Sequence, residues 1–168
     1  MNSSEAEKIV NSLLDIFILS GNVSLDLRKK GLEKKFKSDN TPVTNGDIEI
    51  NNLLTSKITS LTPNIKIISE ETSANKNNNN LQDFWLIDPI DGTREYINNE
   101  EEFTLNAALI VNNKPVLGVI NAPDKKRLFY SYGPSNSFEF VNNQEIKLIN
   151  QNKKKLNIIS AVSYSDIL

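Results

Sequence analysis

The most informative segment of the sequence is W-L-I-D-P-I-D-G-T-R-E-Y-I, residues 85–97. An apolar run leads into two aspartates, Asp88 and Asp91, which flank Pro89 and stand just before Gly92. Asp-Pro and Asp-Gly are common turn dipeptides, so a plain turn explains the local pattern. Two carboxylates at the end of a buried strand would equally suit a metal ion. The stretch by itself favours the turn, and only the rest of the chain can distinguish the two interpretations.

The composition narrows the possible partners. The chain has 168 residues, of which 38% are hydrophobic and 24% charged, and its net charge is -2. Such a balance is typical of an ordinary globular protein and gives no reason to expect a nucleic-acid polymer as partner. The three consecutive lysines at 153–155 are best explained as solvent-exposed residues at the start of a strand.

Two residue types are missing from the sequence: it contains no cysteine and no histidine. Their absence removes disulfides, thiolate nucleophiles, Ser-His-Asp triads and the usual zinc sites. An enzyme of this composition must work with carboxylates, hydroxyls, lysine, arginine or a bound hard cation. Aspartate and glutamate oxygens suit Mg2+, which binds through a few carboxylates and keeps several waters.

The N-terminal segment predicts a helix that lies in a soluble core. Ser4, with Glu7 three residues later, fits a capping box, and apolar residues then recur at helical spacing up to Gly21, a plausible stop. The most apolar part, 9–19, is interrupted by polar residues and is too short to span a bilayer. No signal-peptide pattern is visible. We therefore expect a cytoplasmic protein without membrane insertion.

The remaining pattern predicts one further helix and a series of strands. The second helix should begin at Thr44, carry Asp47 in its first turn and run to about Ser60. The Asn-rich segment 75–80 is a low-complexity loop. The predicted strands cover 32–36, 65–68, 84–87, 103–111, 115–120, 127–131, 137–141 and 156–162, and the two at 103–111 and 115–120 form a hairpin. Helices first and strands after predict an α+β fold, with two N-terminal helices packed on a mostly antiparallel sheet.

This arrangement brings the acids together. Glu70 follows one predicted strand and Asp88 ends another, while Asp91 and Thr93 lie in the turn just beyond. If the two strands are neighbours, three carboxylates meet, and they repel one another unless a cation neutralises them. The Ile90 carbonyl could then become a ligand too. Taken singly, Glu70 is an ordinary solvent-facing acid and Thr93 an ordinary helix N-cap.

Two other metal or phosphatase motifs do not fit. The I-D-G-T sequence is similar to the D-x-D-G-T nucleophile motif of haloacid-dehalogenase-type phosphatases, but that motif needs an aspartate where Pro89 stands. An EF-hand is excluded because the glycine after Asp88 and Asp91 arrives one position early. A third possibility, a non-enzymatic protein that only binds metal, stays open.

Several motifs in order resemble one family. D-P-I-D-G-T preceded by W-L-I, with S-E-E upstream, resembles the inositol monophosphatase superfamily of Mg2+-dependent, lithium-sensitive phosphatases. The later segments T-R-E-Y-I-N-N, E-F-T-L-N-A-A-L-I, P-V-L-G-V-I-N-A-P (115–123) and K-S-D-N-T-P-V-T-N-G-D (37–47) are similar to the 3'(2'),5'-bisphosphate nucleotidase branch. The resemblance implies the N-terminal half of a layered α/β/α/β/α sugar-phosphatase fold.

The resemblance also implies a set of metal ligands. Glu70, Asp88 and the Ile90 carbonyl would hold the first Mg2+, and Asp88 and Asp91 would share the second. The complete family site holds two or three Mg2+ ions and is inhibited by Li+. The substrate would be a small phosphorylated nucleotide or sugar alcohol.

Catalytic roles follow from the same resemblance. Asp47 and Thr93 would orient a water for in-line attack on phosphorus, with Asp47 as the proton acceptor. Gly92 and Thr93 would offer backbone N–H groups to the phosphate at the start of a short helix. Phosphoryl transfer of this kind needs positioning and charge neutralisation more than a nucleophilic side chain.

The sequence departs from the family at its C-terminal end. Members continue into a second domain with a W-D-x-x-A motif, whose aspartate completes the second metal site, and the only tryptophan here is Trp85. We therefore expect residues 1–162 to form the N-terminal metal-binding phosphatase domain, and 163–168 to begin the linker to an absent domain. Tyr164 and Asp166 depart from the family pattern there.

The reaction that the resemblance implies is the conversion of 3'-phosphoadenosine 5'-phosphate to AMP and phosphate, in sulfur metabolism. The alternatives are an inositol-monophosphate phosphatase, an inactive metal-binding remnant, or one half of a split enzyme completed in cis or in trans.

Overall fold

The computed structural model describes residues 1–72 and 81–148. Its helices are α1 (Ser3–Lys30), α2 (Asn45–Leu61) and α3 (Thr93–Ile97). Its strands are β1 (Lys34–Phe36), β2 (Pro42–Thr44), β3 (Lys66–Ser69), β4 (Phe84–Asp91), β5 (Thr104–Val111), β6 (Lys114–Ala122), β7 (Arg127–Tyr132), β8 (Ser137–Val141) and β9 (Gln144–Lys147). The expected α+β class is confirmed. The predicted loop at 75–80, the strand at 156–162 and the boundary at 162 lie outside the described residues.

Helix α1 is longer than the sequence predicts, because Gly21 does not end it. A Cβ atom at Gly21 would lie 2.4 Å from Nδ2 of Asn121 and 3.3 Å from Cγ of Pro123. The glycine therefore allows α1 to approach the end of β6 closely, and the prediction that it is a stop signal was wrong. The helix ends instead at Gly31, whose φ of 102° is a conformation that glycine adopts without strain.

The helix starts were predicted with mixed success. The capping box of α1 is formed by Asn2 and Glu5, two residues earlier than predicted. Glu7 is used elsewhere, since its carboxylate accepts a hydrogen bond from the Tyr132 hydroxyl at 2.9 Å. The predicted start of α2 is confirmed: Thr44 is its N-cap, and Asp47 completes a capping box in the first turn.

The sheet runs β3-β4-β5-β6-β7-β8-β9 in the order of the chain. Every adjacent pair is antiparallel except β3 and β4, which are parallel. The expectation of a mostly antiparallel sheet is confirmed, and the parallel pair is a feature the sequence did not predict. Because the pair is parallel, Glu70, just after the end of β3, comes to lie beside Asp88 of β4. Strand β4 continues to Asp91, so the prediction that it ends at 87 with Asp91 in the turn beyond was wrong.

Paired asparagines make two of the tight turns. Asn112 and Asn113 connect β5 to β6 with φ values of 51° and 58°. Asn142 and Asn143 connect β8 to β9 in the same way, with φ values of 52° and 60°. Two consecutive positive φ angles are the signature of the type I′ hairpin turn, which asparagine tolerates. The first hairpin was predicted, whereas β9 was not.

The core lies between the two long helices and one face of the sheet. Helix α1 packs on β6 and β7, and α2 packs on β4. Trp85 is fully buried, and its indole N–H donates to the Thr62 hydroxyl at 2.9 Å. The other large side chains with almost no exposure are Tyr96, Phe17, Phe103, Leu13, Ile50, Leu54, Ile58, Ile87, Ile90, Leu105 and Leu109. Burying each such side chain contributes about 1.5–3 kcal/mol, which fixes the helices on the sheet.

By length and composition, α1 could also be a membrane span. It has 28 residues and a mean hydropathy of 1.3 over its most apolar window. The argument that this segment is too short was therefore wrong, because it assumed that the helix ends at Gly21. In the structure Val10, Leu13 and Phe17 are fully buried. In all, 33% of that window is buried in the structure, and a single helix of this length and composition is weak evidence for a membrane span.

Candidate metal centre

The parallel β3–β4 pair brings Glu70 and Asp88 together. Ser69, the last residue of β3, is the register partner of Ile87, and the Glu70 backbone N–H donates to the Ile87 carbonyl at 3.1 Å. The Glu70 carboxylate is near enough to raise the pKa of Asp88. Oδ1 of Asp88 is buried and has no hydrogen-bond partner among the described residues. Glu70 and Asp88, two of the three acids that the sequence analysis expected to meet, therefore lie close together.

The electrostatics of Asp88 are unfavourable for a charged carboxylate. Burial, followed by the charges of Glu70 and Asp91, together raise the pKa of Asp88 to about 8. Burial also raises the pKa of Asp91, against hydrogen bonds from the Asn106 side chain and the Gly92 backbone. A buried acid with an unpaired oxygen and two acidic neighbours is stabilised by a hard cation.

A lysine approaches the acids from the β1–β2 turn. Nζ of Lys37 lies 2.9 Å from Oε1 of Glu70 and 2.9 Å from Oε1 of Glu71. Burial of Lys37 opposes its charge, but the two carboxylates prevail and raise its pKa. Lys37 is a site residue that the sequence analysis did not single out. A lysine in a turn has no distinctive spacing, so its part in the site is visible only in the folded chain.

The side-chain positions bear on how a metal could bind. Within residues 1–72 and 81–148, no three acidic side chains stand ready as a ligand set. Lys37 binds one Glu70 oxygen in this structure. The donor chemistry nevertheless fits Mg2+, because carboxylates and a backbone carbonyl are oxygen ligands and Oδ1 of Asp88 is unpaired. A bound ion would have to draw the carboxylates together from the positions they hold here.

Asp47 and Thr93 meet as the sequence predicts. The Thr93 hydroxyl lies 3.2 Å from Oδ1 of Asp47 and 3.1 Å from the Ile90 carbonyl oxygen. The Ile90 carbonyl therefore points toward the same place as the Asp47 carboxylate. Oδ2 of Asp47 accepts hydrogen bonds from the Thr44 backbone at 2.7 Å and its hydroxyl at 2.6 Å. Burial raises the pKa of Asp47, and these hydrogen bonds partly offset the rise.

Gly92 is the residue on which the turn depends. Its φ is 88° and its ψ is 42°, the left-handed region in which glycine is favoured. A Cβ atom at this position would lie 2.7 Å from the Glu102 carbonyl oxygen and 3.3 Å from Cα of Phe103. Both conformation and space therefore require glycine here, and the turn places Thr93 at the first position of α3.

Tyr96 anchors the short helix α3 in the core. Its hydroxyl donates to the Ser24 carbonyl of α1 at 2.7 Å, and the residue is fully buried. Its ring lies 4.8 Å from that of Phe103, centroid to centroid. A Cβ atom on Gly46 would lie only 2.7 Å from the Tyr96 hydroxyl oxygen, so Tyr96 also packs against the start of α2. Tyr96 thus joins α3, which begins at Thr93, to α2, which carries Asp47 in its first turn.

Arg28 covers this anchor from the end of α1. Its guanidinium lies 5.2 Å from the centroid of the Phe103 ring and 5.7 Å from that of Tyr96. It also binds both carboxylate oxygens of Asp124, at 2.7 and 2.8 Å. Asp124 is thus engaged in an ion pair with Arg28.

The predicted site residues fall into two connected groups. Thr93 contacts Asp47 and Ile90. Glu70 and Asp91 form the other group with Asp88, since both raise its pKa. Their proximity is a finding, and their roles as ligands or catalysts stay predictions.

Two helices on one face of a mostly antiparallel sheet, with acids where β3 and β4 end, define a layered α+β protein of the inositol monophosphatase fold. The model of the inositol monophosphatase family matches residues 11–166, and the chain belongs to that family.

Among curated proteins, the similarity is to 3'(2'),5'-bisphosphate nucleotidases. The chain is 36% identical over 144 residues to the nucleotidase CysQ of Haemophilus influenzae, which covers 84% of this chain and 54% of the relative. It is 43% identical over 103 residues to CysQ of Salmonella typhimurium, covering 61% of this chain and 42% of the relative. The chain thus spans about half the length of the relatives it matches.

Solved structures agree on the fold. CysQ from Bacteroides thetaiotaomicron superposes with a TM-score of 0.61 at 26% identity, covering 89% of this chain and 53% of that one. An IMPase/NADP phosphatase complexed with Mg2+ and phosphate gives 0.68 at 21% identity, covering 83% and 52%. A staphylococcal inositol monophosphatase, described as a LiCl-soaked inhibitory complex, gives 0.69 at 23% identity with the same coverage.

Proposed function

We propose that this chain provides the metal-binding half of a Mg2+-dependent phosphomonoesterase, a hydrolase of the 3'(2'),5'-bisphosphate nucleotidase type. The observation that carries the proposal is the buried Oδ1 of Asp88, which has no hydrogen-bond partner among the described residues. Asp88 lies in β4 next to the end of β3, where the charges of Glu70 and Asp91 act on it. Burying such an oxygen is costly unless a cation or water satisfies it.

The proposed ligands are those implied by the family resemblance. Glu70, Asp88 and the Ile90 carbonyl would hold the first Mg2+, and Asp88 and Asp91 the second, within a complete site of two or three ions. Bound Mg2+ would neutralise charge on the phosphate and position the attacking water. Support comes from the Mg2+ and LiCl complexes of proteins with the same fold, and Li+ should inhibit.

The chain's own part in the reaction is to orient the water and the phosphate. Because Thr44 holds Oδ2 of Asp47, the Oδ1 atom is directed at Thr93. Asp47 and Thr93 would grip the attacking water between them, and the raised pKa of Asp47 favours its role as proton acceptor. The backbone N–H groups of Gly92 and Thr93 are the proposed phosphate contacts, although that of Gly92 donates to Asp91 here.

The proposed substrate is 3'-phosphoadenosine 5'-phosphate, converted to AMP and phosphate in sulfur metabolism, in the cytoplasm. The similarity to nucleotidases supports this choice over inositol monophosphate. Because the chain spans about half of those relatives, we propose that activity requires a C-terminal domain supplied in cis or in trans. The second candidate is an inactive metal-binding remnant, which the span of about half of the relatives' length also allows.

Phosphate release tests the proposal. The chain would be assayed alone, and joined or mixed with the C-terminal half of the Haemophilus influenzae relative, on 3'-phosphoadenosine 5'-phosphate and on inositol monophosphate. We expect Mg2+-dependent release from the nucleotide only when the second half is present. Release that needs Mg2+ but favours the inositol substrate would correct the substrate, and no release in any combination would favour the remnant.

A further inference from the structure

A buried asparagine faces the acids from the neighbouring strand. Asn106 lies on β5 as the register partner of Asp88, and the residue is only 6% exposed. Its Nδ2 donates a hydrogen bond to Oδ2 of Asp91 at 3.2 Å. Its Oδ1 is buried and has no hydrogen-bond partner among the residues the structure describes. The side chain therefore reaches into the acid cluster with one end satisfied and the other open.

This arrangement is costly unless something else binds there. The carboxylate of Asp91 can only accept hydrogen bonds. The amide N–H of Asn106 must therefore face Asp91, and the amide oxygen of Asn106 must point away from it. An unpaired buried amide oxygen loses its hydration without compensation. A leucine has almost the same shape and would avoid that cost on a strand whose next residues are Leu105 and Ala107. Two open oxygens, on Asp88 and Asn106, thus occupy paired positions on one face of the sheet.

We propose that Asn106 belongs to the metal centre, where its Nδ2 holds the Asp91 carboxylate in place and its Oδ1 offers an uncharged oxygen to the hydration shell of the bound cation. The inference rests on the proposed Mg2+ site and adds a residue to it. Asn106 is a positioning residue in this account, since the contact it makes here is with the ligand Asp91. An amide suits the place because a fourth carboxylate would add to the repulsion among three acids.

The adjacent strand supplies a matched control. Asn121 on β6 is also 6% exposed, and its Nδ2 donates to the Phe17 carbonyl at 2.7 Å. Asn121 pairs in register with Leu105, the residue next to Asn106, so it lies on the opposite face of the sheet. It ties the sheet to α1 and has no contact with the acids in the described structure. The two asparagines therefore separate a role in metal binding from a role in packing.

The test is a calorimetric Mg2+ titration of the 168-residue chain, with thermal unfolding in a chelator beside it. We expect Asn106→Leu to weaken Mg2+ binding about tenfold or more, as loss of a ligand's supporting hydrogen bond does, and to leave the unfolding temperature in chelator unchanged or raised. Asn121→Leu should lower the unfolding temperature and keep the Mg2+ affinity within about twofold, because packing alone is disturbed. Equal Mg2+ affinity in Asn106→Leu and the unmodified chain would overturn the inference.

A second variant tests the open oxygen. Asn106→Asp keeps an oxygen at this place and exchanges the N–H donor for a negative charge. We expect it to unfold at a lower temperature in chelator, and to gain more from added Mg2+ than the unmodified chain does. A gain no larger than that of the unmodified chain would contradict a cation near Asn106. If the unmodified chain itself binds no Mg2+, the proposed function fails together with this inference, whereas binding that ignores Asn106 removes the inference alone.

Discussion

The Thr93 hydroxyl and Oδ1 of Asp47 lie 3.2 Å apart, although 46 residues separate them in the chain. Each is held from its own side: Thr44 binds the other Asp47 oxygen, and Tyr96 fixes α3 to the carbonyl of Ser24. The contact is thus set by the starts of two helices rather than by a flexible loop. Such preorganisation is what a pair that positions a water requires.

Asp47→Asn tests whether this pair takes part in catalysis. In a chain completed with its C-terminal half, turnover should fall about a hundredfold to ten-thousandfold, the usual contribution of a general base. Mg2+ affinity should change little, because Asp47 is not a proposed ligand. Steady-state kinetics and calorimetry on the same protein measure both quantities. Equal losses in turnover and in Mg2+ binding would show that Asp47 is a ligand or a purely structural residue.

Gly92→Ala tests the turn that carries the two aspartates. We expect it to destabilise the fold by more than about 1 kcal/mol, since it combines a positive φ with a backbone clash. The matched control is Gly31→Ala, where φ is 102° but no atom lies within 4 Å of the added Cβ. Urea denaturation of both variants separates strain from crowding. Equal losses would mean that the close approach to Glu102 contributes nothing.

Tyr96→Phe removes the hydroxyl that anchors α3 and leaves the buried Ser24 carbonyl without that donor. The free energy of unfolding should fall by about 0.5–1.5 kcal/mol, the net value of one hydrogen bond. Tyr132→Phe is the control, because its hydroxyl binds Glu7 on α1, away from the turn. Only the Tyr96 variant should also weaken Mg2+ binding. An unchanged Mg2+ affinity in both would show that α3 does not position the site.

The acid cluster should make the chain less stable as pH rises when Mg2+ is chelated. The pKa of Asp88 is raised by burial, and then by Glu70 and Asp91, from 3.8 to about 8. Between these values the folded state holds a proton that the unfolded state has lost, so the free energy of unfolding falls as pH rises. The raised pKa of Asp47 acts in the same direction. Urea denaturation across this window measures the slope.

Asp88→Asn provides the control for that slope, because it removes the group with the largest effect. The variant should show a flatter dependence of stability on pH. A free energy of unfolding that rises with pH in the unmodified chain would contradict the account of the cluster.

The spacing of apolar residues and the positions of turn-forming residues were enough to predict the main elements of the fold. The predicted start of α2 at Thr44 and the hairpin around Asn112 are present because each depends on local residues. Gly21 was wrongly predicted to end α1, because a glycine that ends a helix and one that allows close packing look alike in sequence. The space around Asn121 that requires it is a tertiary property.

The candidate site was predicted only in part, because some of its contacts depend on the folded chain and not on local sequence. Glu70 and Asp88 could be brought together on the assumption that their strands are neighbours, and the Asp47–Thr93 contact followed from the family resemblance. Lys37 and Asn106 could not be found in this way, because a lysine in a turn and an asparagine in a strand have no distinctive spacing. Their part emerges only from distances in the folded chain, 2.9 Å to Glu70 and 3.2 Å to Asp91.

A calorimetric Mg2+ titration of the 168-residue chain and of Asp88→Asn measures whether the acid cluster binds a metal ion. The control is Asp83→Asn at the other end of the β4 region, where the carboxylate accepts only the Asn112 backbone N–H among the described contacts. We predict weak but measurable Mg2+ binding by the unmodified chain and by the Asp83 variant, and none by Asp88→Asn. Mg2+ binding that survives Asp88→Asn unchanged, or its absence from the unmodified chain, would contradict the account.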